Sequence, residues 1–582
     1  MTKLEILNTA KNRAKQWLSG NYDKDTKQKV HELLNNPDPK NLIDSFYKDL
    51  EFGTGGMRGI MGVGTNRINK YTLGAATQGL ANYLKKQFKN TNIKVAIGYD
   101  CRNNSQHFAK LVANILSAND ITAHLFKELR PTPELSFAIR HLGCQAGIVL
   151  TASHNPPEYN GYKVFWDDGS QVVSPHDKGI INEVKNVKAN DILFTPKEEK
   201  IKYINNDLDD IFIEACIKHS QFCDKGKENL KIVFTSIHGT SIKLIPTALE
   251  KAGFKKVYVV EEQATPNGNF PTVKSPNPEE PDALKMALDL AEKKDADIVI
   301  GTDPDADRLG VAVRDLEGNM RLLNGNQTNT LLTHYLLENL KKQAKLTPKH
   351  FICSTVVSSD IFFDLANQYN VGCEAVLTGF KWIGKSIREN EGKRIFVGGG
   401  EESFGYMVGD FVRDKDSVAS TLLIAEIASV AKANGGSIFQ ELLKIYSKTG
   451  LYQEKLVYLI KKGIEGAKEV ENLMINFREN PPTTLLGKKA IKIMDCSLSA
   501  IKDLETNSIE HLDLPKSNVL IFYIEDGTKL AIRPSGTEPK IKFYFSVKTN
   551  LDSIEEYPQK KAELEAKIDN IVAQLWDLRN LC

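Results

Sequence analysis

Three aspartates, Asp303, Asp305 and Asp307, stand at alternate positions in the stretch GTDPDADRLG (301–310). Pro304 excludes a regular helix there, because it lacks a backbone donor and crowds the preceding turn. In an extended or looped chain alternate side chains share one side, so the three carboxylates can converge. Close, unpaired anions repel, and a hard divalent cation relieves that repulsion. All-oxygen ligation suits Mg2+ or Mn2+. A calcium loop of the EF-hand kind needs Gly at its sixth position and Glu at its twelfth, where this chain has Arg308 and Arg314. A solvated acidic turn would use the same residues, but here a strand-like apolar run, ADIVIGT, leads straight into the triad.

Four other stretches carry groups able to do chemistry. In TASHNPPEYNGYK (151–163), Ser153 follows an apolar run and precedes a Pro-rich turn, which sets a hydroxyl on a loop at a strand's end. A hydrolase elbow, G-x-S-x-G, would need glycines where Thr151 and Asn155 stand. His154 is the next residue, and neighbours in an extended chain point apart, so no simple Ser153–His154 pair is expected. A capping or turn role for Ser, His and Asn is the alternative. In RPSGTEPK (533–540), Arg533 can grip a phosphate with two donors. Ser535 and Thr537 add hydroxyls, Lys540 adds charge, and Gly536 lets backbone amides turn inward as an anion nest. In GGGEESFGY (398–406), Glu401 and Ser403 can read sugar hydroxyls, or form an acidic turn. The Gly-rich segment 51–70 carries Arg58 and Arg67. It fails the dinucleotide fingerprint G-x-G-x-x-G, because Arg58 and Arg67 occupy the last positions. A flexible loop and an Arg-bearing phosphate loop both fit it.

One further stretch, TGFKWIGKS (378–386), fits the phosphate-loop spacing G-x-x-x-x-G-K-[ST] from Gly379 to Ser386. Its interior, Phe380, Lys381, Trp382 and Ile383, is too bulky for a loop that wraps phosphates with its amides. The following SIRENEGKR gives barely two helical turns, and the acidic strand precedes the loop where a kinase or ATPase would have it follow. The expected reading is a strand–helix loop whose Lys381 or Lys385 faces a substrate phosphate or solvent. An ATP-dependent P-loop kinase is the distant alternative.

The elements that must position these groups recur along the chain. KVAIGYD (94–100), AGIVLTASHNP (146–156), KIVFTSIHGT (231–240), ADIVIGTDPDAD (296–307) and RIFVGGGEESFGY (394–406) are apolar runs ending in polar or Gly-rich loops. Short, fully apolar runs read as buried strands of parallel or mixed sheets, and loops at their ends are where α/β proteins hold ligands. The end differs: NVLIFYIEDGTKLAIRPSGTEPKIKFYFSV (518–547) reads as an antiparallel pair with Asp526-Gly527 as the turn. A helix follows whose Leu564, Ile568, Ile571, Leu575 and Leu578 form a core stripe. The first 50 residues read as helical, broken by NNPDPKN (35–41).

With 582 residues the chain needs several cores. A net charge of +2 without a basic block gives no reason for a nucleic-acid or anionic-membrane partner. No run approaches a membrane span, the amphipathic start has no apolar signal region, and the eight scattered cysteines form no C-x-x-C. These features favour a cytoplasmic protein without a disulfide framework or a zinc site.

The serine loop, the D-x-D-x-D loop, the G-E-x-S loop and the R-x-S-x-T loop, in this order, resemble the α-D-phosphohexomutase superfamily. The opening FGTGGMRG, the TGFKWIG stretch and the length resemble the branch containing phosphoglucomutases, phosphopentomutases and glucose-1,6-bisphosphate synthases. The resemblance runs from about Phe52 to near the C-terminus. It implies an α/β fold: three consecutive mixed-sheet α/β domains plus a C-terminal α+β domain, arranged around a central cleft. The expected division is 1–50 (helical extension), 51–208 (serine loop), 209–322 (metal loop), 323–450 (sugar loop) and 451–582 (phosphate loop).

The resemblance also implies reversible conversion of a hexose 1-phosphate to its 6-phosphate through phosphorylated Ser153 and a bound 1,6-bisphosphate. One Mg2+ per chain would be held by the phosphoserine and the three aspartates, with Arg308 steadying the phosphate. Substrate contacts would come from Glu401, Ser403, Thr378, Gly379, Lys381, Arg308, Arg533, Ser535, Gly536, Thr537 and Lys540. Arg58, Lys163, Lys415 and His154 complete the catalytic set, and a lysine with lowered pKa is the favoured base. Some family members carry a His two residues after the serine of G-E-x-S, where this chain has Gly405. Glucose 1,6-bisphosphate is the expected activator. Phosphomannomutase, phosphopentomutase or bisphosphate synthase activity are the alternatives, and a monomer or weak homo-oligomer is expected.

Overall fold

The computed structural model describes residues 3–53, 55–461, 463–535 and 540–579. They fall into two compact units, residues 1–332 with 380–435, and residues 333–379 with 436–582.

In the first unit the apolar runs become interior strands. Ala146–Leu150 is buried at every position, because helices cover its faces and strands flank both its edges. It pairs in parallel with Lys94–Tyr99, which pairs in parallel with Thr122–Phe126, and that with Ile201–Ile204. On the other side Ala146–Leu150 pairs antiparallel with Tyr159–Trp166, which pairs antiparallel with Gly56–Ile60. The result is a mixed six-stranded sheet. A five-stranded sheet follows the same logic around Lys231–Thr235 and Ile298–Thr302, paired in parallel, with Leu309–Arg314 antiparallel at the latter's side. Ile395–Glu401 and Gly405–Val408 form an antiparallel pair in the same unit.

The Gly-rich segment 51–70, for which a flexible loop was one expectation, instead contains the strand Gly56–Ile60. The glycine is there for close approach: a Cβ on Gly56 would lie 1.9 Å from Tyr162 O. The loop beyond it is tied to the N-terminal extension, which forms helices Lys3–Ser19, Lys24–Asn35 and Lys40–Phe46. Trp17 stacks on Tyr22 at 4.4 Å and meets Phe46 and Tyr71 edge-on, giving these helices a core of their own. Asn66 donates from its backbone to Ser45 O and from its side chain to Asp44 O, both at 2.9 Å.

In the second unit His350–Thr355 pairs in parallel with Gly372–Val376. The C-terminal segment builds an antiparallel sheet in the order Leu451–Ile460, Lys540–Thr549, Lys529–Pro534, Leu520–Ile524, Lys488–Asp495, Ala500–Asp503, Ile509–His511. The expected pair across Asp526-Gly527 is present as part of this larger sheet. The helix Tyr557–Arg579 buries Leu564, Ile568, Ile571 and Leu575 as its stripe predicts, while the side chain of Leu578 lies outside the described residues. Among the described residues no single helix is long and apolar enough to cross a membrane, and seven cysteines are free.

Candidate active site

The strand Ala146–Leu150 runs into Thr151, whose hydroxyl accepts the backbone N–H of Ser153 at 2.8 Å. Ser153 then takes a left-handed conformation, φ 51°. For a non-glycine residue such backbone costs about 1–3 kcal/mol. The compensation comes from Arg102, buried beneath the loop with its guanidinium 5.2 Å from the Phe270 ring. Arg102 donates to Ser153 O at 2.6 and 3.2 Å, to Pro156 O at 2.9 Å, to Tyr159 O at 3.1 Å, and to Asn155 O. Charge-assisted bonds of this kind contribute about 1.5–3 kcal/mol each, so together they outweigh the strain. Asp100 lies 3.6 Å from Arg102 and accepts from Arg102 N and from Ser105.

The metal loop arrives from the strand Ile298–Thr302. It turns at Ala306, φ 55°, and brings Asp303, Asp305 and Asp307 together with one oxygen of each within 4.8 Å of the others, all buried. Asp303 Oδ1 accepts the backbone N–H of Asp307 and of Arg308, each at 3.0 Å, which folds the turn back on itself. Asp303 Oδ2 accepts from Ser153 Oγ at 2.6 Å, so the sequence-expected nucleophile stands directly at the triad.

Cations surround the cluster. Lys163 donates to Asp305 at 2.7 Å and to Asp307 at 3.2 Å, and Lys415 lies 3.1 Å from Asp307. Burial opposes charge on the two aspartates, yet the lysines beside them keep both below the usual carboxylate range. Asp303 has no lysine and is pushed well up by burial and by its two neighbours. For Lys163 and Lys415 the expectation of a lowered pKa is not met. Burial lowers Lys163 and Lys415, but the facing carboxylates override it and hold both above their ordinary value. Arg308 is likewise raised, against burial, chiefly by its ion pair with Glu279 and by Asp307.

His154 corrects a second expectation. Its Nδ1 lies 3.1 Å from Ser153 Oγ, because the left-handed turn at Ser153 swings the two side chains together where an extended chain would part them. Burial first, and then Arg308 and Arg58, hold His154 well below the usual histidine range, so it is neutral. Arg58, on the strand Gly56–Ile60, donates to Asn155 Oδ1 of the serine loop at 2.9 Å.

Glu401 ends the strand Ile395–Glu401, with Ser403 in the following turn, and Asn329 holds Glu401 O at 2.9 Å. Phe404 O accepts from Leu309 N at 2.9 Å, which ties this turn to the metal loop. Lys415 packs directly on Gly405, where a Cβ would lie 2.2 Å from Lys415 Cδ.

The phosphate-loop look-alike is a helix. Phe380–Asn390 begins at the first interior residue, so the amides a nucleotide would need are in its opening turn. Lys385 pairs with Glu389 at 2.6 Å on the surface, and burial pushes Lys381 down to about 8 beside the Trp382 ring.

In the second unit Thr378 and Gly379 follow the strand Gly372–Val376, with Gly379 at φ 113°. Arg533 sits on Lys529–Pro534, cross-strand from Lys542. Ser535 N donates to Lys540 O at 2.7 Å, and Lys540 Nζ lies over the Tyr458 ring at 4.0 Å. Gly536 and Thr537 lie outside the described residues.

Sequence reasoning missed Arg102, Thr132 and Ser417. Thr132 donates to Asp305 Oδ2 at 2.9 Å and Ser417 Oγ to Ala306 O at 2.6 Å. A buried arginine directly after a strand, in GYDCR, was the one local signal available.

The residues present fit a divalent cation. Asp305 Oδ1 and Asp307 Oδ1 are buried and have no hydrogen-bond partner among the described residues. Such oxygens cost free energy unless something binds them. An oxygen-only donor set of three carboxylates beside a serine hydroxyl suits Mg2+ or Mn2+.

Three family models match in series. Residues 49–191, 210–318 and 324–446 match domains I, II and III, respectively, of the phosphoglucomutase/phosphomannomutase alpha/beta/alpha family. A phosphoglucomutase of Staphylococcus aureus is 39% identical over 509 residues, covering 87% of this chain and 91% of its own. One from Staphylococcus epidermidis is 37% identical over 532 residues, covering 89% and 94%. Among solved structures, parafusin from Paramecium superposes with a TM-score of 0.66 at 18% identity, covering 90% of this chain and 96% of its own. A phosphoglucomutase/phosphomannomutase family protein from Burkholderia thailandensis gives 0.64 at 18%, covering 90% and 97%. These two likenesses show the shared fold.

Proposed function

The chain belongs to the phosphoglucomutase/phosphomannomutase family, and from that premise we propose that it is a phosphoglucomutase working through phosphorylated Ser153. The observation that carries this reading is Ser153 Oγ at 2.6 Å from Asp303, beside two buried carboxylate oxygens without a hydrogen-bond partner among the described residues. Asp303, Asp305 and Asp307, with the phosphoserine, would hold one Mg2+, which supplies Lewis-acid charge at the phosphoryl oxygens. Arg102 and Thr151 fix the serine loop with Oγ at Asp303.

A substrate hydroxyl attacks phosphorus, the Oγ–phosphorus bond breaks, the hydroxyl's proton passes to the freed Ser153 Oγ, and a hexose 1,6-bisphosphate forms. Its other phosphate then returns to Ser153 after a half-turn of the sugar. Lys163 and Lys415, held protonated, stabilise charge on the phosphoryl group, and neutral His154 is placed to exchange a proton at Oγ. Arg58 and Arg308 add positive charge. Glu401 and Ser403 read sugar hydroxyls, Thr378, Gly379 and Lys381 contact the sugar phosphate, and Arg533, Ser535, Gly536, Thr537 and Lys540 grip the phosphate that is not transferred. The protein is read as cytoplasmic, a monomer or weak homo-oligomer, with domain limits at 51, 209, 323 and 451.

The test is formation of glucose 6-phosphate from α-glucose 1-phosphate with Mg2+, trace glucose 1,6-bisphosphate and no ATP. Turnover by the wild type that vanishes in Ser153→Ala supports the reading. A wild type inactive on glucose, mannose and ribose phosphates alike would sink it.

A further inference from the structure

Three hydroxyl side chains from separate segments pin the 303–307 loop. Thr240 donates to Pro304 O from its backbone at 2.9 Å and its hydroxyl at 3.0 Å. Ser417 Oγ donates to Ala306 O at 2.6 Å. Thr132 donates from its backbone to Asp305 O at 2.9 Å. All three are at most 1% exposed. The first two hydroxyls reach only backbone. The Thr132 hydroxyl instead reaches a carboxylate of the triad, donating to Asp305 Oδ2 at 2.9 Å.

That distinction decides which oxygen of Asp305 is free. Oδ2 also accepts from Lys163 Nζ at 2.7 Å, so it is engaged twice. Oδ1 is left buried with no hydrogen-bond partner. A carboxylate held by a lysine alone, on its flexible four-carbon stem, could rotate and exchange its oxygens. Thr132 is stiff: it is β-branched, and Pro131 and Pro133 restrict the chain on either side.

We propose that Thr132 is a positioning residue for the metal ion, locking Asp305 Oδ2 so that Oδ1 faces the cation. The inference rests on the metal site of the proposed function, which it deepens by assigning an outer-shell partner to one ligand. Outer-shell partners of metal ligands orient the ligand atom, and their loss weakens metal affinity.

The experiment measures Mn2+ binding to the full chain by electron paramagnetic resonance, without substrate, in wild type, Thr132→Val, Thr132→Ser and Asp303→Asn. The expected result is that Thr132→Val binds Mn2+ about 10–100-fold more weakly with an altered line shape, while Thr132→Ser stays within about threefold of wild type. Equal affinity in wild type and Thr132→Val overturns the inference and leaves the metal site standing. Equal loss in Thr132→Ser and Thr132→Val overturns it too, since packing would then be the cause. A wild type that binds no Mn2+, or binds it as well as Asp303→Asn does, overturns the metal site itself and the inference with it. Circular dichroism checks each variant, and Thr132→Ala replaces Thr132→Val should the latter not fold.

Discussion

The 301–310 and 378–386 segments each follow a strand and each carry a spacing associated with phosphate chemistry. In the first, three carboxylates are buried, two of their oxygens lack hydrogen-bond partners, and backbone and hydroxyl donors from distant segments hold the loop. In the second, the motif lysine pairs with a helical neighbour at the surface, and the motif from Phe380 onward is an ordinary helix. Spacing alone does not separate the two. What separates them is whether burial leaves charge that folding by itself does not satisfy.

The comparison breaks most visibly at the triad. Asp307→Asn removes the negative charge of one ligand, leaving a single amide oxygen, and is expected to lower mutase turnover about a thousandfold, the loss of several kcal/mol of metal-assisted stabilisation. A coupled assay for glucose 6-phosphate reads this, and a loss below tenfold would place the metal chemistry elsewhere. Arg102→Met sharpens the contrast from the other side, since here a buried cation outside every motif holds the serine loop. Loss of the clamp lets the nucleophile move, with an expected drop in kcat of about a hundredfold and a smaller change in KM. Steady-state kinetics beside a thermal melt would show a simple stability defect instead if the purified folded fraction retained full kcat. The smallest effect is expected from Lys385→Met. Its exposed i,i+4 pair with Glu389 contributes about 0.3–0.5 kcal/mol, so turnover should change less than twofold. A tenfold loss would restore a phosphate role to the look-alike.

The triad and the strands were legible because their determinants are local. Asp303 to Asp307 span five residues, and Ala146–Leu150 declares its burial in its own composition. The clamp on Ser153 comes from Arg102, and the pin on Asp305 from Thr132, across sequence separations that no spacing rule covers. The Ser153–His154 contact was misread because it depends on one positive φ, which the residue type does not announce. The lysine pKa direction was misread for a related reason. Burial near other cations suggested lowering, but Asp305 and Asp307 are the nearer charges. The N-terminal helices were readable as helices, yet their hold on 64–67 emerges only from Ser45 and Asp44 meeting Asn66.

The pinning of the metal loop also bears on synthesis at the ribosome. Thr132 and Thr240 are translated before the triad, but Ser417 follows Asp307 by more than a hundred residues. At about 5–20 residues per second, the loop waits on the order of ten seconds for its last pin. Until then the nascent chain carries its aspartates without their complete scaffold, so the metal loop is fully pinned only after Ser417 has been made.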